Sequence, residues 1–325
     1  MRKIWKFILS GAWIVNTMQS LAAADLTSYD QQDILAIREV AVVSYRNEKT
    51  NNFQQVGEII KADTGNPVGR IYEHPRCYVV GYFGFLCGDW FPGETNANVF
   101  GFSGTLRKDC ADCVAGSKGS LQELIRGLNT TKDIVFTGLK EGGAIASLSA
   151  IDTVRSLTQG QIPGERNRIK LVTFNTSSVG NAQFANEYKT FIPLKNSLSF
   201  VHHDDYPRMG KSFADFGKVG LPVRILPSEA WADLSSKAGT IVAQGTTVIG
   251  GSTVTLLGGL IAGTIAVPAT AIVVYKLPAW LGVEPYGAPS ADTIGKAFAA
   301  VKTRIQTLGY QESLEFAGER PIGAR

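Results

Sequence analysis

Apolar residues recur at helical spacing in three parts of this chain. In residues 30–47 the apolar positions are Ile34, Ile37, Val40, Ala41 and Val43. This spacing predicts an α-helix, and residues 53–61 predict a second, shorter one. Residues 290–308 predict an amphipathic helix. One of its faces carries Ile294, Ala297, Phe298, Val301 and Ile305.

Between the first and last of these helices, β-type patterns appear. Residues 77–87 are rich in aromatic and β-branched residues, which predicts a strand, and residues 98–102 predict the next one. The Gly, Pro and Asn residues between them indicate a turn. We therefore expect residues 77–102 to form a hairpin that enters a sheet.

From residue 120 the pattern alternates between the two types. Ser120 and Glu123 have the spacing of a capping box for a helix that ends near Gly127. Further helices are predicted at 142–157 and 181–188, and strands at 133–137, 168–174, 197–201 and 221–226. Such alternation predicts an α/β fold with a mainly parallel sheet covered by helices on both faces. Functional sites in such sheets lie at the C-terminal ends of the strands.

The first 24 residues have the pattern of a signal peptide. A basic stretch with Arg2, Lys3 and Lys6 precedes a short apolar run at 7–15, and Ala22-Ala23-Ala24 forms an A-x-A cleavage site. We expect export, to the periplasm or medium, and a mature N-terminus at Asp25. The remaining chain has 29 basic and 28 acidic residues. This balance does not support nucleic-acid binding, which needs a concentrated basic face.

The four cysteines are Cys77, Cys87, Cys110 and Cys113. An even number in an exported chain predicts two disulfides, and the sequence leaves all three pairings open. A redox pair at Cys110 and Cys113, or a zinc site, remains an alternative.

Residues 238–275 form a run of 38 uncharged residues, rich in Gly, Ala, Thr, Val and Ile. A single crossing of the membrane would separate the helix at 290–308 from the rest of the domain. A hairpin with arms at 241–257 and 260–275 avoids this, although each arm is short for a full crossing. We expect a hydrophobic helical hairpin that dips into a bilayer or covers an acyl groove. A hairpin buried against the body of the protein is the alternative.

The segment 136–144 has the form of a hydrolase nucleophile turn. In a G-x-S-x-G elbow, a strand turns sharply into a helix and exposes the central side chain. Gly138 and Gly142 hold the glycine positions here, but the central residue is Lys140. Ser147 and Ser149 lie inside the helix that follows, so we expect them to pack rather than react.

Four segments together resemble the class 3, or fungal-type, triacylglycerol lipases. Residues 137–144 resemble their T-G-H-S-L-G-G-A elbow, and residues 173–185 resemble T-F-G-x-P-R-V-G-N-x-x-F-A. Residues 101–105 resemble the A-F-R-G-T oxyanion strand, and residues 201–209 lie where the family has N-x-x-D-I-V-P. The resemblance covers about residues 35–230. It implies an α/β-hydrolase fold and an acyl ester or lipid as the binding partner.

The resemblance also implies roles for single residues. Lys140 takes the nucleophile position, Asp204 the position of the triad acid and Thr105 that of an oxyanion donor. Glu141 replaces a small apolar residue whose backbone N–H completes the oxyanion hole. The family histidine before the nucleophile is Leu139. The only histidines of the chain are His74, His202 and His203, so none follows Asp204 as the general base.

These departures predict that the triad chemistry is lost. We expect Lys140 to be a solvated turn residue, because Glu141 favours its charged form. If neutral, Lys140 could instead act as a base or form a Schiff base. We expect Asp204 to cap the turn that follows it. A metal site at residues 202–205 is disfavoured because neighbouring strand residues point to opposite sides. We expect neither a metal nor a cofactor.

The resulting division is a signal peptide at 1–24, a lipase-like domain at 25–237, the hydrophobic hairpin at 238–276 and a returning C-terminal helix within 277–325. Three functions fit this organisation. In the first, the chain is a pseudo-hydrolase that binds lipid or a membrane surface through an apolar groove and the hairpin. Alternatively it is an esterase with an unusual site around Lys140 and Asp204, or a membrane-inserting effector that uses the fold as a carrier. The oligomeric state is left open.

Overall fold

The computed structural model describes residues 25–84, 93–129, 131–202, 216–217, 219–225 and 290–318. Cys87, His203, Asp204 and the segments 1–24 and 238–276 lie outside the described residues. The expectations placed on them therefore remain predictions.

A mainly parallel sheet forms the centre of the domain. Seven strands lie in the order β1-β2-β3-β6-β7-β9-β11. β1 pairs with β2, and β2 with β3, in antiparallel fashion, whereas the pairs from β3 to β11 are parallel. The predicted fold class is thus confirmed. The strands are β1 Gln54–Ile60, β2 Pro67–Glu73, β3 Cys77–Tyr82, β6 Asp133–Leu139, β7 Ile169–Phe174, β9 Ser197–His202 and β11 Leu221–Ile225.

A small antiparallel sheet lies beside the large one. Its strands lie in the order β10-β8-β5-β4. They are short, and they come from the loops that follow strands of the large sheet. Their bounds are β4 Glu94–Asn96, β5 Thr105–Arg107, β8 Gly180–Asn181 and β10 Phe216–Gly217.

Helices cover both faces of the large sheet. One face packs against α1 (Gln31–Tyr45) and α5 (Ala291–Gly318), and the other against α2 (Lys108–Gly127), α3 (Glu141–Thr158) and α4 (Ala182–Phe191). Successive strand residues serve opposite layers, because side chains alternate along a strand. Val135 thus belongs to the core under α1 and Phe136 to the core under α3.

The helix predicted at 30–47 is confirmed, and a capping box begins it. The Asp30 carboxylate accepts a hydrogen bond from the Asp33 backbone N–H, and the Asp33 carboxylate accepts one from the Asp30 N–H, both at 2.9 Å. This reciprocal pairing satisfies two backbone donors at the helix start.

The helix predicted at 53–61 is wrong, because these residues form strand β1. The sequence pattern also missed β2, with which β1 pairs from Gln54 opposite Glu73 to Ile60 opposite Pro67. The structure explains the strand through Gly57. A methyl carbon added there would lie 2.6 Å from a methyl of Leu124 in α2. Close packing of α2 against this edge strand therefore favours the β conformation of residues 54–60 over the helix that their local sequence predicts.

The predicted strand at 98–102 is also wrong, and so is the hairpin built on it. Ala97–Phe100 form a 3₁₀ helix, which Asn96 caps and Gly101 ends with φ of 68°. The capping box predicted at Ser120 is wrong as well, although its helix does end at Gly127. Ser120 lies inside α2, and its hydroxyl accepts a hydrogen bond from the Ile60 N–H at 3.0 Å.

The two predicted disulfides are not present. Cys77, Cys110 and Cys113 are buried thiols, and no disulfide joins any two of these three. Two bonds among four cysteines would need at least one bond within this group. Cys110 and Cys113 lie on the buried face of α2, where they pack as small apolar residues.

Candidate active site

The sharp turn predicted at 138–142 is present at the C-terminal end of β6. Strand β6 ends at Leu139, helix α3 begins at Glu141, and Lys140 between them has φ of 52° and ψ of −118°. Residues other than glycine rarely adopt this backbone conformation, which costs them about 1–3 kcal/mol. The chain therefore keeps a strained elbow at the position where the resemblance puts a nucleophile.

Two glycines permit the turn. A methyl carbon added at Gly138 would lie 2.3 Å from the carbonyl carbon of Gly142. One added at Gly142 would lie 2.6 Å from the carbonyl oxygen of Tyr82, at the end of β3. Both distances are far below van der Waals contact. The strand, the helix and the neighbouring β3 therefore approach one another as closely as backbones can.

Backbone hydrogen bonds hold the elbow from both sides. The Lys140 N–H donates to the Phe174 carbonyl at 3.2 Å, and the Lys140 carbonyl accepts from the N–H groups of Gly143, Ala144 and Ser177. Asn175, the next residue after β7, also has a positive φ, of 48°, and its N–H donates to the Phe200 carbonyl at 2.7 Å. The strain at Lys140 is thus maintained by the ends of β7 and β9.

The Lys140 side chain is buried, which corrects the prediction of a solvated turn residue. Only 7% of the residue is exposed. Its Nζ lies 5.5 Å from the centre of the Tyr45 ring, at the end of α1. Burial lowers the pKa of the Lys140 ammonium, and the Glu141 carboxylate acts in the opposite direction. The predicted influence of Glu141 is correct in sign, but desolvation outweighs it.

Glu141 interacts with Lys140 and with a second buried cation, Arg107. The Ser177 hydroxyl is 3.5 Å from its carboxylate. Arg107, on β5, forms an ion pair with Asp109 and is 9% exposed. Burial opposes the charge of this guanidinium, but Cys110, Asp109 and Glu141 together raise its pKa. The elbow therefore carries interacting charges of both signs, on Lys140, Glu141, Arg107 and Asp109.

Thr105 does not lie on the strand beside the elbow. It begins β5 in the small sheet, whereas the neighbour of β6 is β3, with Gly81 opposite Thr137. In hydrolases with this turn, the oxyanion hole uses the N–H after the nucleophile and an N–H from the loop that follows the neighbouring strand. Here the corresponding backbone is that of Glu141 and of Phe83-Gly84. The error arose because one Gly-x-x-Gly pattern begins within the end of β3, at 81–84, and another follows the 3₁₀ helix, at 101–104.

The histidines divide between the two edges of the sheet. His74 precedes β3 at the N-terminal edge, where its Nδ1 lies 3.9 Å from both the Asp33 carboxylate and the Cys77 sulfur. The elbow is at the other edge. His202 ends β9 at that same C-terminal edge, and Asp204 follows beyond the described residues.

The remaining candidates behave as packing residues. Ser147 and Ser149 are buried inside α3, as predicted, and the Ser147 hydroxyl donates to the Gly143 carbonyl at 2.8 Å.

In the described ranges, no three His, Cys, Asp or Glu side chains are arranged to hold a metal ion. Among the helices of these ranges, none is long and apolar enough to cross a membrane.

Tyr45 and Arg107 are site residues that the sequence pattern missed. Tyr45 carried a weak signal, because it lies in the last turn of the helix predicted at 30–47 and is large and amphipathic. Arg107 carried none, since its place depends on the small sheet. The structure brings Lys140, Glu141, Tyr45 and Arg107 together, and Thr105 begins β5, the strand of the small sheet that also carries Arg107.

Comparison with known proteins agrees with this geometry. Residues 63–210 match the family model for lipase (class 3). The native Rhizomucor miehei lipase propeptide complex is 13% identical, with 60% of this chain and 68% of that chain covered and a TM-score of 0.50. That level of likeness concerns the fold.

Two further structures are similar at lower scores. The refined Rhizomucor miehei triacylglyceride lipase is 15% identical over 60% of this chain and 79% of that chain, with a TM-score of 0.48. The lipase from Rhizopus microsporus var. chinensis is 16% identical over 60% and 74%, with a TM-score of 0.46. No curated protein sequence matches. The resemblance predicted from the motifs is nevertheless confirmed: over residues 63–210 this chain carries the sequence pattern of the class 3 lipases, on an α/β-hydrolase fold.

Proposed function

We propose that this protein binds an acyl lipid at the elbow without hydrolysing it repeatedly. The observation that carries the proposal is the side chain at the nucleophile position. Lys140 occupies a strained, tightly held turn that elsewhere presents a serine hydroxyl. The surroundings are retained although the hydroxyl is not, which fits a turn kept for its shape and its ligand.

The loss of turnover follows from the chemistry of the triad. A serine hydrolase needs a hydroxyl that is activated by a base, and then a water molecule activated by the same base. The sequence has only His74, His202 and His203, so no histidine follows Asp204 as that base. Lys140 has no hydroxyl, so it cannot form the acyl ester that the activated water molecule attacks in a serine hydrolase. An ester that reaches the elbow is therefore held or reacts once.

The proposal also includes where this binding takes place. The N-terminal pattern fits export, and the uncharged segment 238–275 fits contact with a lipid surface next to the acyl groove. Both extend the sequence predictions, and both are testable separately from the elbow. Deletion of residues 239–275 should reduce binding to anionic or neutral liposomes without altering the elbow.

A second candidate is an esterase that uses Lys140 as its base. The burial of Lys140 and its lowered pKa favour this candidate, because a neutral amine can accept a proton. Such an enzyme would release many alcohol molecules for each protein molecule. Multiple turnover is therefore the property that separates the two candidates.

The test uses the full-length protein and two readouts. A pyrene-labelled monoacylglycerol ether, which cannot be cleaved, reports binding, and p-nitrophenyl butyrate reports turnover. We expect saturable binding of the ether and no more than one equivalent of nitrophenol. A serine-reactive fluorophosphonate should not label the protein. Lys108→Ala, at an exposed residue paired with Asp112, is the surface control. Absence of ether binding would exclude the proposal, and turnover that Lys140→Ala abolishes would establish the esterase.

A further inference from the structure

We propose that Lys140 is an acyl acceptor, which takes the acyl group from an activated ester and keeps it as an amide. The proposed function gives the elbow an acyl ligand, and this inference rests on that function. It adds a covalent reaction, the class of donor and the residue modified. The donor class is an ester or thioester with a good leaving group.

The first support is the position of the side chain. The elbow presents its central residue at the C-terminal edge of the sheet, between the end of β3 and the start of α3. Hydrogen bonds from Gly143, Ala144 and Ser177 to the Lys140 carbonyl hold the backbone of that residue in place. The lysine side chain therefore starts from the backbone position that carries the serine in the lipase elbow. Fixed placement of this kind supplies much of the rate of an acyl transfer.

The second support is the environment of the amine. Tyr45 from α1 covers Lys140, and Glu141 from α3 is the adjacent charge, with Arg107 from β5 beyond it. Removal of water favours the uncharged amine, whose nitrogen lone pair is the nucleophile. Glu141 reduces this effect, and it also interacts with the guanidinium of Arg107. The cluster therefore leaves Lys140 more reactive than a solvated lysine at the same pH.

The reaction balances without any other reagent. The Nζ lone pair attacks the ester carbonyl carbon, and the carbonyl π electrons move to oxygen. When the carbonyl reforms, the bond to the leaving oxygen breaks and that oxygen departs with its electron pair. The proton lost from nitrogen passes to the leaving group. One ester and one amine thus become one amide and one alcohol.

The reaction stops at the amide on Lys140. A serine hydrolase continues because its acyl-enzyme is an ester that water can cleave. An amide carbonyl is much less electrophilic, and its nitrogen must be protonated before it can leave. The expected result is one acyl group per protein molecule, with no catalytic cycle.

The test is peptide mapping after reaction with p-nitrophenyl octanoate at pH 8. Trypsin normally cuts after Lys132, Lys140 and Arg155, which releases peptides 133–140 and 141–155. Acylated Lys140 resists trypsin, so the two peptides should appear joined, with one octanoyl group that survives hydroxylamine. Lys108 and Lys296 are internal controls, because their side chains are 56% and 68% exposed. We expect at least tenfold faster modification at Lys140.

Two further samples complete the test. Lys140→Arg keeps the positive charge but should give no joined peptide. Protein unfolded in urea should lose the preference for Lys140. The inference is overturned if the folded protein modifies all three lysines at equal rates, or if the acyl group is released with turnover. If the pyrene ether binds but Lys140 stays unmodified, the inference fails and the proposed binding function stands. If the ether does not bind either, both fail.

Discussion

The Nζ of Lys140 lies 5.5 Å from the centre of the Tyr45 ring, which also rests against Gly84 at the end of β3. A methyl carbon added at Gly84 would lie 2.0 Å from this ring. Tyr45 thus fills the space between the end of β3 and the elbow. Its ring packs beside the amine of Lys140, a residue that is only 7% exposed.

Replacement of Tyr45 should return Lys140 to solvent. We expect Tyr45→Ala to raise the pKa of Lys140, because the main cause of the lowered pKa is desolvation. Tyr45→Phe keeps the ring and should leave the pKa close to that of the wild type. The measurement is an NMR titration of the Lys140 side chain, assigned by comparison with Lys140→Arg. A Tyr45→Ala protein with an unchanged Lys140 pKa would show that another group excludes the water.

The elbow glycines should tolerate substitution by alanine far less well than a glycine inside a helix elsewhere in the chain. Gly138→Ala puts a methyl carbon 2.3 Å from the Gly142 backbone, and we expect a loss of more than about 3 kcal/mol in the free energy of unfolding. Gly119 lies in α2 and has no atom within 4 Å of an added methyl. Gly119→Ala should therefore stabilise the protein, by about 0.5–1 kcal/mol. Urea unfolding of both variants checks the contrast, and equal effects would contradict the tight elbow.

Backbone strain at Lys140 gives a separate prediction. Lys140→Gly and Lys140→Ala both remove the charged side chain, but only glycine adopts φ of 52° and ψ of −118° without strain. We expect Lys140→Gly to be about 1–2 kcal/mol more stable than Lys140→Ala. Glycine normally loses this comparison, because it orders more backbone freedom on folding. Equal urea midpoints would mean that the elbow is unstrained in solution.

Gly138, Gly142 and the turn between them were predictable because the sequence signal for such a turn is local. A strand, a Gly-x-x-x-Gly turn and a helix follow one another within 133–158, and each has its own periodicity. The parallel direction of β6, β7 and β9 was predictable for a similar reason. Hydrophobic alternation with intervening helices allows few other arrangements.

The errors come from contacts between distant segments. Residues 53–61 have apolar positions that suit a helix, but β2 and α2 provide a better partner surface for a strand. Lys140 was expected in solvent because its neighbours in sequence are Glu141 and glycines. Tyr45, which packs against it, lies far from it in sequence, at the end of α1. Arg107 reaches the site only because the small sheet holds β5 there.

A buried lysine on the opposite edge of the sheet should make stability depend on pH. Lys170 is 0% exposed, and its Nζ donates to the Asn167 carbonyl at 2.7 Å and to the Asn196 side-chain oxygen at 2.9 Å. Burial lowers its pKa to about 8, against the opposing charge of Asp133. The unfolded chain therefore binds more protons at Lys170 between pH 8 and about 10.4, so stability from this group increases with pH in that window.

The comparison that isolates this effect is wild type against Lys170→Met. Other buried groups titrate in the same range, including Cys77, whose pKa burial raises to about 12. The difference between the two proteins removes their contributions. We expect the wild type to gain up to about 3 kcal/mol relative to Lys170→Met between pH 8 and pH 10.5. A constant difference across this range in urea unfolding would mean that Lys170 titrates normally.

Glu141 should set the pH at which Lys140 becomes nucleophilic. Its carboxylate raises the pKa of Lys140 against the larger effect of burial. Glu141→Gln removes this charge and should lower the Lys140 pKa further, so that a larger fraction of the amine is neutral at pH 7. The acylation rate of Lys140 by p-nitrophenyl octanoate should then rise several-fold at pH 7 and converge with the wild-type rate at high pH. Glu141→Asp keeps a carboxylate and is the matched control. A rate that changes by the same factor at every pH would assign Glu141 to positioning of the ester rather than to the charge on Lys140.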